Sequence, residues 1–116
     1  QNYGTPGQEN ETALGSKEIK QNLPEKTSLL TAYPNPFNSR INIPFQIANS
    51  EKTEIIINDI LGKEIKRFLV TNFNPGKYNF SWNAKNSLGQ EISTGVYLIK
   101  LQSASSKSLE KVIYLK

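Results

Sequence analysis

A chain of 116 residues has room for one core, and a two-layer fold of that size buries roughly two-thirds of the surface its unfolded form exposes. Cysteine is missing, which removes disulfides, thiolate nucleophiles and thiolate metal sites together. The net charge of +4 comes from cations that alternate with carboxylates, as in Glu25-Lys26, Glu51-Lys52, Lys63-Glu64 and Glu110-Lys111; this is the pattern of a solvated face, and no nucleic-acid partner is expected.

Residues 1–22, QNYGTPGQENETALGSKEIKQN, mix Gly, Pro, Gln, Asn, Glu and Lys, with Leu14 and Ile19 too isolated to define an apolar face. They read as a linker or the tail of something upstream. Methionine is absent and the chain opens on Gln1, so the expectation is a piece of a longer precursor. No apolar run approaches the ~18 residues that a membrane-spanning helix needs.

From Leu23 onward short apolar segments recur between Gly, Pro and Asn clusters. After the turn Tyr33-Pro34-Asn35-Pro36-Phe37, residues Ile41, Ile43, Phe45 and Ile47 alternate with Asn42, Pro44 and Gln46, the period-2 signature of a half-buried strand. Pro44 cannot donate to a ladder, which predicts an edge strand or a bulge there. Thr53 to Ile60 places Ile55 and Ile57 inward, with Ile56 and Ile60 opposite, and stops where Gly62 can supply a positive φ. Ile65 to Val70 is the next strand. Tyr78, Phe80 and Trp82 alternate with polar residues, which makes Trp82 a core residue of a central strand. A polar hairpin, NAKNSLGQEISTG, leads to Val96–Ser103 with Tyr97, Ile99 and Leu101 inward, and Leu109–Leu115 closes the series. The expected fold is an all-β, immunoglobulin-like antiparallel β-sandwich, a Greek key of about six or seven strands over residues 23–116.

Chemistry has little to work with. Histidine is absent and Asp59 is the only aspartate, so an acid–base pair would have to come from glutamates that sit beside lysines or in polar segments. Neither an enzyme nor a cofactor is expected. Asp59 reads as a carboxylate that accepts turn amides, and the loop oxygens of Asn83, Asn86, Ser87 and Glu91 carry too little charge for calcium, so a plain Asn/Gly turn is expected and no metal.

The segments LPEKTSLLTAYPNPFNSRINIPFQI, INDILGKEI, NPGKYNFSWNAKNSLGQEISTGVYLIKL and EKVIYLK, in this order, resemble the C-terminal sorting domain of type A cargo in the type IX secretion system of Bacteroidetes-type bacteria. The pattern is also similar to the immunoglobulin-like domain of flagellar hook-capping proteins. It departs at Asn58, where the family prefers an aromatic residue, and at Ala84, where glycine is frequent. The resemblance implies a secretion signal read by an outer-membrane translocon and a sortase. It would direct an upstream cargo domain on the same precursor through the periplasm to the cell surface or medium, in some systems with attachment to a surface glycolipid. The family's motif residues carry over to Pro34, Asn35 and Pro36, to Gly95 and Tyr97, and to Lys111 and Lys116.

The residues themselves allow a physical account beside the resemblance. Pro34 and Pro36 fix two φ angles and stiffen the entrance to the domain. Gly95 is read as permitting a positive φ or close backbone approach. A basic terminal edge strand is expected to pair with a partner's sheet while Lys111 and Lys116 set its orientation. The alternative function is a passive immunoglobulin-like spacer or a carbohydrate or adhesion module of an exported multidomain protein.

Overall fold

The computed structural model describes residues 23–71 and 73–116; the linker expected over residues 1–22 lies outside them. Seven strands follow one another: β1 (Ser28–Leu29), β2 (Ile41–Ile47), β3 (Thr53–Asp59), β4 (Glu64–Val70), β5 (Gly76–Trp82), β6 (Gly95–Ser103) and β7 (Lys107–Tyr114). They form two antiparallel sheets, one in the order β1-β2-β5 and one in the order β4-β3-β6-β7. The fold is therefore the expected all-β, immunoglobulin-like sandwich. Its fourth strand hairpins onto β3, whereas a constant-type antibody domain sends that strand to the other sheet.

Alternation builds the core. Ile41, Ile43, Phe45 and Ile47 of β2 are all buried, and they face Trp82, Phe80, Tyr78 and Gly76 in register across β5. From the other sheet Ile55, Ile57, Ile99, Leu101, Val112 and Tyr114 close over them. Each such aliphatic side chain contributes about 1.5–3 kcal/mol when fully buried.

One sequence expectation needs correction, and another is met by the second of its two alternatives. Trp82 belongs to the core, but β5 is an edge strand of its sheet, because β2 lies between it and β1. Pro44, in turn, sits in the central strand, and the structure supplies the irregularity it demands. The ladder from β1 pairs Leu29 with Phe45 and resumes at the Tyr33–Asn42 bridge, so residues 30–32 stand opposite only Ile43 and Pro44. The Pro44 carbonyl accepts the Leu30 N–H at 2.8 Å, and the missing proline donor falls within this bulged stretch.

The polar hairpin expected over residues 83–95 closes on itself through an antiparallel Lys85–Glu91 bridge, but it joins β5 of one sheet to β6 of the other, and those strands do not pair. Within it Asn86 organises the turn. Its Oδ1 accepts the N–H groups of Leu88 and Gln90, which uses an oxygen that the sequence offered to calcium.

Candidate recognition surface

One pole of the sandwich gathers the start of β2, the end of β3, the start of β4, the end of β5, the start of β6 and the end of β7, as the pairs Ile41–Trp82, Asp59–Tyr97 and Gly95–Tyr114 require. The Pro34-Asn35-Pro36 turn is exposed there, with both X–Pro bonds cis. Phe37 then dives inward and is buried, 5.7 Å from the Trp82 ring and 5.0 Å from Tyr114. Burial of that aromatic ring fixes the turn to the core, which leaves the prolines at the surface.

The same turn covers the free edge of β7. Asn35 Oδ1 accepts the Ile113 N–H at 2.9 Å while its Nδ2 donates to the Lys111 carbonyl at 3.1 Å. Phe37 continues the contact through its backbone: its N–H donates to Ile113 O at 2.9 Å, and its carbonyl accepts the Leu115 N–H at 2.8 Å. The expectation that this edge would pair with a partner's sheet is thereby corrected over Lys111–Leu115, where the Lys111 carbonyl, both backbone groups of Ile113 and the Leu115 N–H are already taken. Lower on the strand Glu110 accepts the Ala32 N–H at 3.0 Å, and Ser108 Oγ accepts the Leu29 N–H at 2.9 Å.

Lys116 is held at the same pole. Its N–H donates to Thr94 Oγ1 at 2.9 Å and its Nζ lies 3.2 Å from Glu91 Oε1, an exposed pair of the kind worth little in stability. Beside it Pro34, Pro36, Phe37, Asn38 and Leu115 line a shallow cleft of about 350 Å³.

Tyr97 is only 5% exposed and has a structural task. Its hydroxyl donates to the Ser93 carbonyl four residues upstream, near the start of the strand, which is the tyrosine-corner arrangement of immunoglobulin-like sandwiches. Burial, then the charge of Asp59 and the neighbouring Tyr114, pushes its phenol up from the ordinary value. Gly95 departs from its expectation: it has no left-handed φ, and a Cβ built on it meets nothing within 4 Å. Lys111 stands apart from the pole's other members, exposed on the outer face of β7 opposite Leu98.

The adjoining β3–β4 turn follows its sequence. Asp59 Oδ1 accepts the N–H groups of Leu61 at 3.0 Å and Lys63 at 2.9 Å, and Gly62 takes φ +90°. Ala84 adopts φ +59°, the left-handed region that glycine enters without a Cβ clash, which gives a physical reason for glycine at that position in sequences of this pattern. Sequence reasoning missed Phe37, Leu115 and Glu110 as parts of this arrangement. The alternation that marks β2 begins only at Ile41, and no local signal ties the preceding turn to the last strand.

The profile of the family described as "Secretion system C-terminal sorting domain" matches residues 31–115, which include the turn, both sheets and the end of β7. The chain belongs to this family. A sorting domain of this kind is the type IX secretion signal that marks proteins for export through the outer membrane to the cell surface or medium. No curated protein matches the sequence.

Solved structures share the sorting domain's fold. Dimeric latent PorU from Porphyromonas gingivalis matches with a TM-score of 0.62 at 16% identity, over 75% of this chain and 9% of that one. PorZ, an essential bacterial surface component of the type-IX secretion system of the same organism, matches with a TM-score of 0.52 at 16% identity, over 90% of this chain and 13% of that one. FlgD from Xanthomonas campestris, which acts in hook capping, matches with a TM-score of 0.52 at 16% identity, over 82% and 72%. The sorting domain thus spans only a small part of PorU and PorZ.

Proposed function

We propose that the outer-membrane translocon reads this sorting domain at the pole where Pro34, Asn35, Pro36, Gly95 and Lys116 meet, with Lys111 beside them on β7, while Tyr97 serves the surface only by holding β6 in place. The carrying observation is that Asn35 and Phe37 lock the proline turn to the end of β7 and leave Pro34, Pro36 and Leu115 exposed around one cleft. A rigid, shaped patch of this kind costs a partner little ordering on binding.

Residues 23–116 act as the unit of recognition, and residues 1–22 link it to an upstream cargo on the same precursor. A sortase separates the two within that linker, and where the cargo remains on the cell a surface glycolipid accepts it. The domain itself is an address and not an enzyme. In support, the carboxylates of the described strands and turns are committed internally, with Glu25 of the entry segment apart: Asp59 to turn amides, Glu110 to Ala32, Glu51 to Ser105, Glu54 and Glu64 to Arg67, and Glu91 to Lys116.

The test fuses residues 1–116 behind a signal peptide and a reporter in a host with this secretion system, with a second fusion that starts at residue 23. Both reporters are expected at the cell surface or in the medium, and the first should end within residues 1–22 by mass spectrometry. A reporter held in the periplasm overturns the reading.

A further inference from the structure

We propose that the outer face of the four-stranded sheet is a docking surface for a protein partner that presents carboxylates around an apolar centre. The proposal rests on the sorting reading and adds a second contact surface to it, which adjoins the pole and shares Lys111 with it. Strand register places lysines and aliphatic residues alternately on this face: Lys100 stands between Ile56 and Leu109, and Lys111 stands opposite Leu98. Leu109 is 62% exposed and Leu69, at the β4 edge of the same face, 53%. Ile56 is only 4% exposed although it points away from the core, flanked in register by Arg67 and Lys100.

The charges of the face are unevenly satisfied. Arg67 lies 2.8 Å from both Glu54 and Glu64. Lys100, Lys107 and Lys111 enter no ion pair among the described residues. The outer face of the other sheet is built differently: Asn79 donates to Asn42, Gln46 to Ser28 and Arg40 to Ser81, which leaves Lys77 as its one cation without a side-chain partner among the described residues, and Pro44 is its one apolar residue within β2 and β5. Unpaired cations interleaved with exposed aliphatics thus belong to one sheet only, and a mixed patch of this kind marks a contact surface.

Charge selects the occupant. A second copy of the chain would set these lysines against themselves across a two-fold axis, which repels. An anionic lipid surface would draw on a denser run of cations than this face holds, and would be opposed by Glu54 and Glu64. A protein that offers carboxylates to Lys100, Lys107 and Lys111 and an apolar ridge to Leu98 and Leu109 satisfies both components.

The test compares binding of the full chain to detergent-solubilised outer membranes from a type IX host and to protein-free vesicles of phosphatidylglycerol and phosphatidylethanolamine. A photo-crosslinking residue is placed in place of Leu109 or, as the control, of Asn79. The expected result is an adduct from position 109 to an outer-membrane protein, at a peptide rich in Asp and Glu. Combined Lys100→Glu, Lys107→Glu and Lys111→Glu should weaken binding by roughly tenfold or more, the corresponding Gln substitutions should weaken it less, and Lys77→Glu should leave it unchanged. Wild-type binding by the triple Glu variant, crosslinking from position 79 alone, or capture by the vesicles without a protein adduct each overturns the proposal and leaves the sorting reading standing. If the wild-type fusion is not exported, the sorting reading fails and this proposal fails with it.

Discussion

Asn35 grips the backbone of Ile113 and its neighbour Lys111 as another strand would. Its side-chain carbonyl accepts the Ile113 N–H at 2.9 Å and its amide donates to the Lys111 carbonyl at 3.1 Å. A planar side-chain amide offers an acceptor and a donor side by side, which matches the alternating groups of a strand edge. The contact joins residues 78 positions apart and protects an edge that would otherwise invite pairing with other chains.

Asn35→Ala removes both bonds, at about 1 kcal/mol each, so the domain should lose about 1–2 kcal/mol and melt on the order of 5–10 °C lower. Asn35→Asp should cost at least as much, because it keeps the acceptor but sets an anionic oxygen against the Lys111 carbonyl. Thermal unfolding followed by circular dichroism checks both variants, and an unchanged midpoint would mean the clamp bears no load. Light scattering should also detect self-association through the uncovered β7 edge.

Two glycines should separate fold from recognition. Gly62 holds φ +90° in the β3–β4 turn, so Gly62→Ala should destabilise by about 1–2 kcal/mol even though open space surrounds its Cβ position. Gly95 has neither a left-handed φ nor a neighbour within 4 Å, and Gly95→Ala should keep or slightly raise stability, by up to about 1 kcal/mol. Urea denaturation measures both effects. If Gly95→Ala nevertheless lowers export of a fused reporter, the bare backbone at Gly95 is part of the surface the translocon reads.

The sequence shows most clearly those elements whose burial is decided locally. The alternation of β2 announces Ile41, Ile43, Phe45 and Ile47, and all of them are buried; the same holds for Tyr97, Ile99 and Leu101 of β6. The run Val112-Ile113-Tyr114-Leu115 has no alternation to read, and the structure divides it by register, with Val112 and Tyr114 inside and Leu115 at the surface. The two-residue strand β1 and the bulge opposite Pro44 leave no periodic trace. The pole was half legible: the Pro-Asn-Pro turn stands out as chemistry, but its attachment to β7 depends on contacts 76 and 78 residues apart that no local pattern encodes. Gly95 misled because glycine permits a positive φ without requiring one.

At the opposite pole Glu51 ties the β2–β3 loop to the β6–β7 turn by accepting the Ser105 hydroxyl at 2.7 Å and the Ser105 N–H at 3.0 Å. The hydroxyl of Ser105 above all, then that of Ser103 and the Ser105 amide, holds the Glu51 carboxyl below its ordinary value of 4.5. The tie is thus intact above the ordinary carboxylate range and is lost as pH falls through the lowered native value. Hydrogen exchange at the Ser105 amide should lose its protection between roughly pH 5 and pH 2, and Glu51→Gln should remove most of that pH dependence. Protection unchanged by acid would assign the turn's order to its own Ser103–Ser106 hydrogen bonds.

Tyr97→Phe keeps the ring that meets Trp82 edge-on at 6.0 Å and removes only the hydroxyl bound to Ser93. At neutral pH this should cost about 0.5–1.5 kcal/mol, the net worth of one hydrogen bond. The alkaline limb carries the sharper test. Burial first, then Asp59 and Tyr114, raises the native phenol above its ordinary value of 10.0, so the folded state keeps a proton that the unfolded chain releases. The associated stability is complete below the ordinary phenol value and disappears as pH rises through the native one. Wild-type unfolding midpoints in urea should therefore fall above about pH 10 more steeply than those of Tyr97→Phe, and the two curves should converge. Parallel slopes would show that the Tyr97 phenol does not govern the alkaline transition, and would return its contribution to ring packing alone.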